Sequence, residues 1–398
     1  MIRNFVSNRK VINFEMKKIV LFPVFIFILF GCKSSSNEST TSNLKTIAQN
    51  LPGSTSSVDL TNFLEIAEVI KLNTTDSSII DFVNKVLIDG DLVFIKGGSS
   101  VFKFDKEGNF LGKLSKKGGG PDEYTNLTDL IILPDQKKIW VYDSNQRAIF
   151  QYTYDFEYEF DYTLSFPLFG LEKMDNGLVG TGGYLNVLDK FSGLHFFAGS
   201  NLSTGYEFSK SELNFNPEKA KYLHINRHDF FSKTIGGVNF VNSFNDTIYK
   251  ISPDFSVAPE FYIDFGNKKV TEEELVGKDY TSIVDVFQYI NSSEKSFNVG
   301  NIVNLEKILL YNFFNQGRSF LSLFDKRSDQ LSSGQKILFN YQDTTVMVDF
   351  SEEISLGSIG NNQGYMVLPS ESSVLGDSQS IFNVKDGDNP IILIFKEK

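Results

Sequence analysis

Short apolar runs broken by turn residues dominate the chain from residue 81 onward. Asp81–Ile88 stops at Asp89-Gly90-Asp91, Leu92–Lys96 stops at Gly97-Gly98, and Val101–Asp105 stops at Lys106-Glu107-Gly108-Asn109 before Phe110–Ser115. Val, Phe, Lys and Phe alternate in the third run, the period of a half-buried strand. Four runs of about five residues, joined by Gly, Asp and Asn, predict an antiparallel meander. The unit recurs as Leu127–Leu133, Lys138–Asp143, Ala148–Tyr154 and Glu159–Ser165. A third begins at Leu168–Lys173 and runs less regularly to about Ser209. A fourth comprises Phe231–Ile235, Val238–Asn242, Thr247–Ile251 and Ala258–Phe265, and a fifth Phe297–Val303, Lys307–Phe313, Arg318–Asp325 and Lys336–Asn340.

Repeats of about 40–50 residues with four strands each predict a β-propeller, because one blade cannot bury both its faces alone. Near the C-terminus only three strands remain: Ser355–Ile359, Gly364–Leu368 and Pro390–Lys396. An unmatched strand, Phe63–Leu72, precedes the first repeat. Joining the two ends completes a sixth blade and hides two sheet edges. The expected fold is therefore all-β, a six-bladed β-propeller closed by N- and C-terminal strands. It carries one small helical insert at Thr271–Asn291, where Thr271 and Glu274 form a capping box ahead of apolar residues at helical spacing.

The N-terminal pattern differs. Met16-Lys17-Lys18 precedes Ile19–Phe30, twelve residues without a charge. Such a run rises about 18 Å as a helix, short of a hydrocarbon core of roughly 30 Å, and reads as an export signal rather than a membrane span. Met16 alone begins a complete signal. Leu29-Phe30-Gly31-Cys32 follows and resembles the bacterial lipobox, which implies diacylation of Cys32 and cleavage before it. The expected organisation is a signal peptide over 1–31, a lipidated flexible tether over 32–57, rich in Ser, Thr and Asn, and a propeller over 58–398. A lone Glu38 after the cysteine, in place of the acidic cluster of some Bacteroidetes surface lipoproteins, favours an outer-membrane protein facing the periplasm, with the cell surface as the alternative orientation.

Composition narrows the chemistry. The chain has 398 residues, 38 Lys+Arg against 49 Asp+Glu, and a formal charge of −11. Removing residues 1–31 takes away five basic residues and one acidic one and leaves −15. So acidic a body is not a nucleic-acid binder and does not hold anionic lipid by its own surface. One Cys and three His exclude a disulfide framework and a Cys-based zinc site. No serine-nucleophile elbow is present.

Four segments carry a resemblance: Gly118-Gly119-Gly120-Pro121-Asp122-Glu123-Tyr124, Ile139-Trp140-Val141-Tyr142-Asp143-Ser144, Asn245-Asp246-Thr247-Ile248-Tyr249, and Asn389-Pro390-Ile391-Ile392-Leu393-Ile394-Phe395. Together they resemble the six-bladed β-propeller lipoproteins of Bacteroidetes, an NHL-like family with no established reaction. The resemblance covers roughly Phe63–Lys398 and implies no cofactor. By analogy it implies a non-enzymatic binding or scaffold module for a protein or glycan partner, as an accessory to nutrient uptake.

The residues leave a second class open. Calcium-dependent lactonases of other propeller families place Asp, Glu and Asn around a central channel, and Asp89, Asp129 and Asp246 are the acids near strand starts or turns here. His224 and His228, four apart, are read as loop histidines, and His195 as a core or rim residue. Gly118–Tyr124 lacks the Lys-Ser/Thr of a phosphate loop. It is expected to shape a crossing between blades, with Glu123 capping backbone donors or pairing with Arg147. Phe166–Phe169 is expected as an aromatic loop on the rim.

Overall fold

The alternating runs do form antiparallel meanders, each ended by its polar or glycine turn. The computed structural model describes residues 44–398 except 52, 54–55, 185–191, 216–228, 277, 279 and 352–353. Three strands come first: β1 (Lys45–Ala48), β2 (Ser57–Asp59) and β3 (Leu64–Lys71). The first blade is β4 (Lys85–Asp89), β5 (Leu92–Gly97), β6 (Ser100–Asp105) and β7 (Phe110–Leu114). The second is β8 (Asp129–Leu133), β9 (Lys138–Asp143), β10 (Ala148–Thr153) and β11 (Tyr158–Thr163). The third is β12 (Gly170–Met174), β13 (Gly177–Thr181), β14 (Ser192–Ala198) and β15 (Glu207–Asn214). The fourth is β16 (Phe231–Thr234), β17 (Gly237–Phe240), β18 (Thr247–Ile251) and β19 (Val257–Asp264). The fifth is β20 (Ser296–Asn304), β21 (Ile308–Asn315), β22 (Arg318–Asp325) and β23 (Gln330–Gly334). There follow β24 (Lys336–Tyr341) and β25 (Thr344–Asp349), then β26 (Leu356–Gly360), β27 (Gln363–Leu368) and β28 (Ile391–Glu397).

The propeller has seven blades, which corrects the expected six. Lys336–Asn340 is not the outer strand of the fifth blade, because β23 holds that place, paired with β22 from Leu321↔Gly334 to Asp325↔Gln330. Instead β24 opens a blade of its own with β25, and β2 lies parallel to β24, Ser57 opposite Lys336. The reason is legible in β23. Gln330-Leu331-Ser332-Ser333-Gly334 carries one apolar residue and so shows no alternation.

The first strands of the other six blades, β4, β8, β12, β16, β20 and β26, touch one another in turn around a central channel. The three-stranded blade sits farther out. Its Ile337, Phe339, Val346 and Val348 pack between Leu310, Leu321 and Leu323 of the fifth blade and Leu368 and Leu393 of the last. That last blade is completed as expected by the N-terminal side of the chain. There β3 pairs antiparallel with β28, from Ile391↔Lys71 to Glu397↔Leu64.

Residues inside the stretch expected to be tether also join the body. β1 adds in parallel to the outer edge of the fourth blade, Lys45 opposite Phe261 and Ala48 opposite Asp264, and buries Ile47. Pairing covers an edge that would otherwise offer open backbone groups.

The helical insert lies between the fourth and fifth blades as α1 (Glu272–Val276) and α2 (Ile283–Ser292). Thr271 N donates to Glu274 Oε2 at 2.8 Å and Glu274 N to Thr271 Oγ1 at 3.3 Å, so the capping box forms. A second box, Ser282 with Asp285, starts α2 and divides the expected single helix into two. Val286 and Ile290 pack under α2 against Phe297 and Phe314. Two short helices in the β27–β28 connection, α3 (Ser372–Leu375) and α4 (Gln379–Phe382), bury Val374, Leu375 and Phe382 and lie against the three-stranded blade, where Phe382 stacks on Tyr341 of β24.

Candidate functional site in the central channel

The glycine-rich segment is structural. Gly120 N donates to Glu123 Oε2 at 2.8 Å. A Cβ on Gly118 would stand 1.9 Å from the same oxygen, so a side chain at 118 would have to displace that carboxylate. Tyr124, fully buried, donates its hydroxyl to Ser99 O at 2.8 Å. Glu123 thus caps a backbone donor, while the Arg147 guanidinium reaches toward Ser165 O.

Asp143, which ends β9 in the second of the four segments, fastens the same crossing. Its carboxylate accepts from Thr125 N and Oγ1, Asn126 N, Asn145 N, Gln146 N and Gln146 Nε2, all between 2.6 and 3.1 Å. Burial by itself would raise the pKa. The hydrogen bonds from Gln146, Thr125 and Asn126 outweigh it and hold Asp143 below the ordinary carboxylate range. A depressed pKa contributes stability above the unfolded value of about 3.9, lost as pH falls through the folded value. Asp143→Asn is therefore expected to cost about 1–3 kcal/mol at pH 7. It should also flatten the fall in stability below about pH 4. Urea unfolding at pH 7 and at acid pH measures both, and an unchanged midpoint at pH 7 would remove Asp143 from this role.

The acids singled out in the sequence lie apart. Asp89 ends β4 and accepts from Lys137 Nζ at 2.6 Å and Tyr154 OH at 3.0 Å. Asp246, in the turn before β18, is buried and paired with Lys269 at 3.0 Å. Only Asp129 reaches the channel. His195 is a core residue on β14, its Nδ1 2.9 Å from Ser211 Oγ and its ring edge-on to Phe166. Phe166 and Leu168 are buried beneath the second and third blades, which corrects the expected aromatic rim loop. Cys32, His224 and His228 lie outside the described residues.

The channel holds charges that sequence reasoning did not single out. A cavity of about 240 Å³ is lined by Lys85 on β4, Glu172 on β12, Asp229 before β16 and Asn301 on β20. Leu87, Ile88, Ile132, Ile302 and Ile359 supply apolar wall. Lys85 Nζ pairs with Asp129 Oδ1 at 2.9 Å, both side chains buried. The same Oδ1 accepts from Leu130 N at 2.7 Å, and Oδ2 from Leu171 N at 2.9 Å. Burial opposes the Lys85 charge, but Asp129, Asp229 and Glu172 together outweigh it and keep the ammonium ionised. Lys96, whose Nζ donates to Thr128 O at 2.6 Å, is shifted down by burial. Burial pushes Asp229 up to about 6, with Lys85 pulling the other way. The signal in sequence was slight, because these two first strands each carry two charges, Lys85 with Asp89 in Lys85–Asp89 and Glu172 with Lys173 in Gly170–Met174, and nothing in the pattern marks which one faces the channel.

A family model described as "Domain of unknown function (DUF4934)" matches residues 44–396, nearly the whole propeller. The chain belongs to the DUF4934 family. No curated protein matches it in sequence. This DUF4934 propeller is similar to the crystal structure of a protein of Bacteroides fragilis NCTC 9343 described as exported. The TM-score is 0.66 at 17% identity, over 89% of this chain and 99% of that one. It is also similar to a DUF4221 family member of Bacteroides vulgatus ATCC 8482, with a TM-score of 0.51 at 10% identity, over 85% of this chain and 99% of that one. At these identities the likeness concerns the propeller fold. The resemblance to a Bacteroidetes propeller family holds at that level, with seven blades in place of six.

Proposed function

We propose that this DUF4934 chain is an exported propeller, anchored to the outer membrane through a lipid on Cys32 and facing the periplasm, that binds a ligand without turning it over. The export signal and the Leu29-Phe30-Gly31-Cys32 segment support the anchor, and likeness to a protein described as exported supports the export alone. Among the described residues no helix is long and apolar enough to cross a membrane.

The binding reading rests on the state of Asp129. Three carboxylates, Asp129, Glu172 and Asp229, do share the channel, as a metal-dependent hydrolase would require. Yet among the described residues the protein's own Lys85 sits among them, and Asp129 already accepts from Lys85 Nζ, Leu130 N and Leu171 N. Such an acid is a fixed part of the scaffold. Among the described residues no three of His, Cys, Asp and Glu are disposed to share a metal ion.

Fractionation of cells carrying Cys32→Ala tests the anchor. The variant should leave the membrane fraction, and complete retention there would refute it. Calcium- or zinc-dependent hydrolysis of model esters or lactones, abolished by chelation and by Asp129→Ala, would replace the binding reading with an enzymatic one.

A further inference from the structure

We propose that the central channel is a binding site for a primary ammonium group on a short apolar stem, with Glu172 as its counter-ion. The inference deepens the binding reading above and rests on it. Glu172 is 6% exposed and lines the cavity, yet among the described residues no hydrogen-bond donor or ion-pair partner reaches its carboxylate. That sets it apart from the other buried acids: Asp129 takes three donors and Asp143 six. A carboxylate that faces a cavity with no donor of the protein's own is open to water and to any cation that enters, which would take up its charge.

The nearby cations do not complete it. Lys85 is engaged with Asp129 at 2.9 Å, and Lys96 with Thr128 O at 2.6 Å. Lys233, the other cation among the described residues of the cavity wall, is exposed.

Size and polarity set the occupant. The cavity of about 240 Å³ equals roughly eight water volumes, room for a small molecule or one side chain. Glu172 gives the described wall a carboxylate that neither Lys85 nor Lys96 takes up, which favours a cation over an anion. Ile88, Ile132, Ile302 and Ile359 offer the stem an apolar wall. A free alkylamine and a lysine side chain share this chemistry.

Calorimetric titration of the purified protein with n-hexylamine, n-hexanol and n-hexanoate at equal ionic strength is the test, with end-blocked Gly-Lys-Gly as the peptide arm. Hexylamine or the lysyl peptide should bind, whichever is the tighter naming the source of the ammonium, and hexanol and hexanoate should bind at least about tenfold more weakly. Glu172→Gln, close to isosteric, should weaken the amine by about tenfold or more and leave hexanol unchanged. Equal binding of amine and alcohol would overturn the proposal and leave the binding reading standing. So would amine binding that Glu172→Gln does not weaken. The comparison of probes on the unaltered protein decides the matter even where the variant fails to fold.

Discussion

A chain ending at Asp388 is expected to lose cooperative folding. It lacks β28, which is paired on both sides: with β27 from Gln363↔Lys396 to Leu368↔Ile391, and with β3. Ile391, Ile392, Leu393, Ile394 and Phe395 are each at most 4% exposed. Burying such side chains is worth about 1.5–3 kcal/mol apiece, so five approach the 5–15 kcal/mol net stability of a typical domain. The loss would spread, because Glu397 Oε1 also accepts from Lys307 N at 2.7 Å and Ile308 N at 2.9 Å in the fifth blade. Thermal unfolding followed by circular dichroism should show a broad, early transition or aggregation. A melt like that of the intact chain would mean that β28 does not hold the ring closed.

Lys85→Met should destabilise the protein by about 3–5 kcal/mol, because it leaves the buried Asp129 without its ion-pair partner. The double variant Lys85→Met/Asp129→Leu should recover much of that loss, since an apolar pair of similar volume removes both desolvated charges. The pH dependence has a definite sign. Lys85 pulls the Asp229 pKa down against burial, which nonetheless raises it to about 6. Without Lys85 it rises further, so protonation on acidification offsets more of the damage. The single variant should therefore gain stability, relative to the parent, as pH falls toward about 6 from above, because its Asp229 takes up a proton at a higher pH than the parent's; below about 6 the two change in parallel. Urea midpoints at pH 7.5 and 5.5 would measure this. A single variant as stable as the parent at both would show that the pair contributes nothing to the ring.

Most blades were legible because their strands alternate and their turns contain Gly, Asp or Asn. Val101–Asp105 became β6 and Arg318–Asp325 became β22 with little or no change of boundary. The seventh blade was hidden by the polar strand Gln330–Gly334, which is held by its ladder to β22 rather than by an apolar face of its own. β1 was hidden for a related reason. Lys45-Thr46-Ile47-Ala48 buries Ile47 and exposes most of the rest, so nothing in its pattern distinguishes it from tether. The channel was least visible. Lys85, Asp129, Glu172 and Asp229 are single charges in four repeats, each ordinary in its own stretch, and only the closed ring brings them together. Phe166–Phe169 misled in the opposite direction, because aromatic residues between strands can turn inward under the next blade as readily as outward.

The partners of β1, β2 and β3 lie near residues 261, 336 and 391. The segments that leave the ribosome first are thus the ones that dock last. Pairings so distant in sequence carry a large loop-closure entropy and slow the search for the native state. Until the final strand has been synthesised, the last blade has no centre, and β3 has no ladder to join. A nascent chain of this design can pair its local hairpins but cannot close its ring until its last strand has been made.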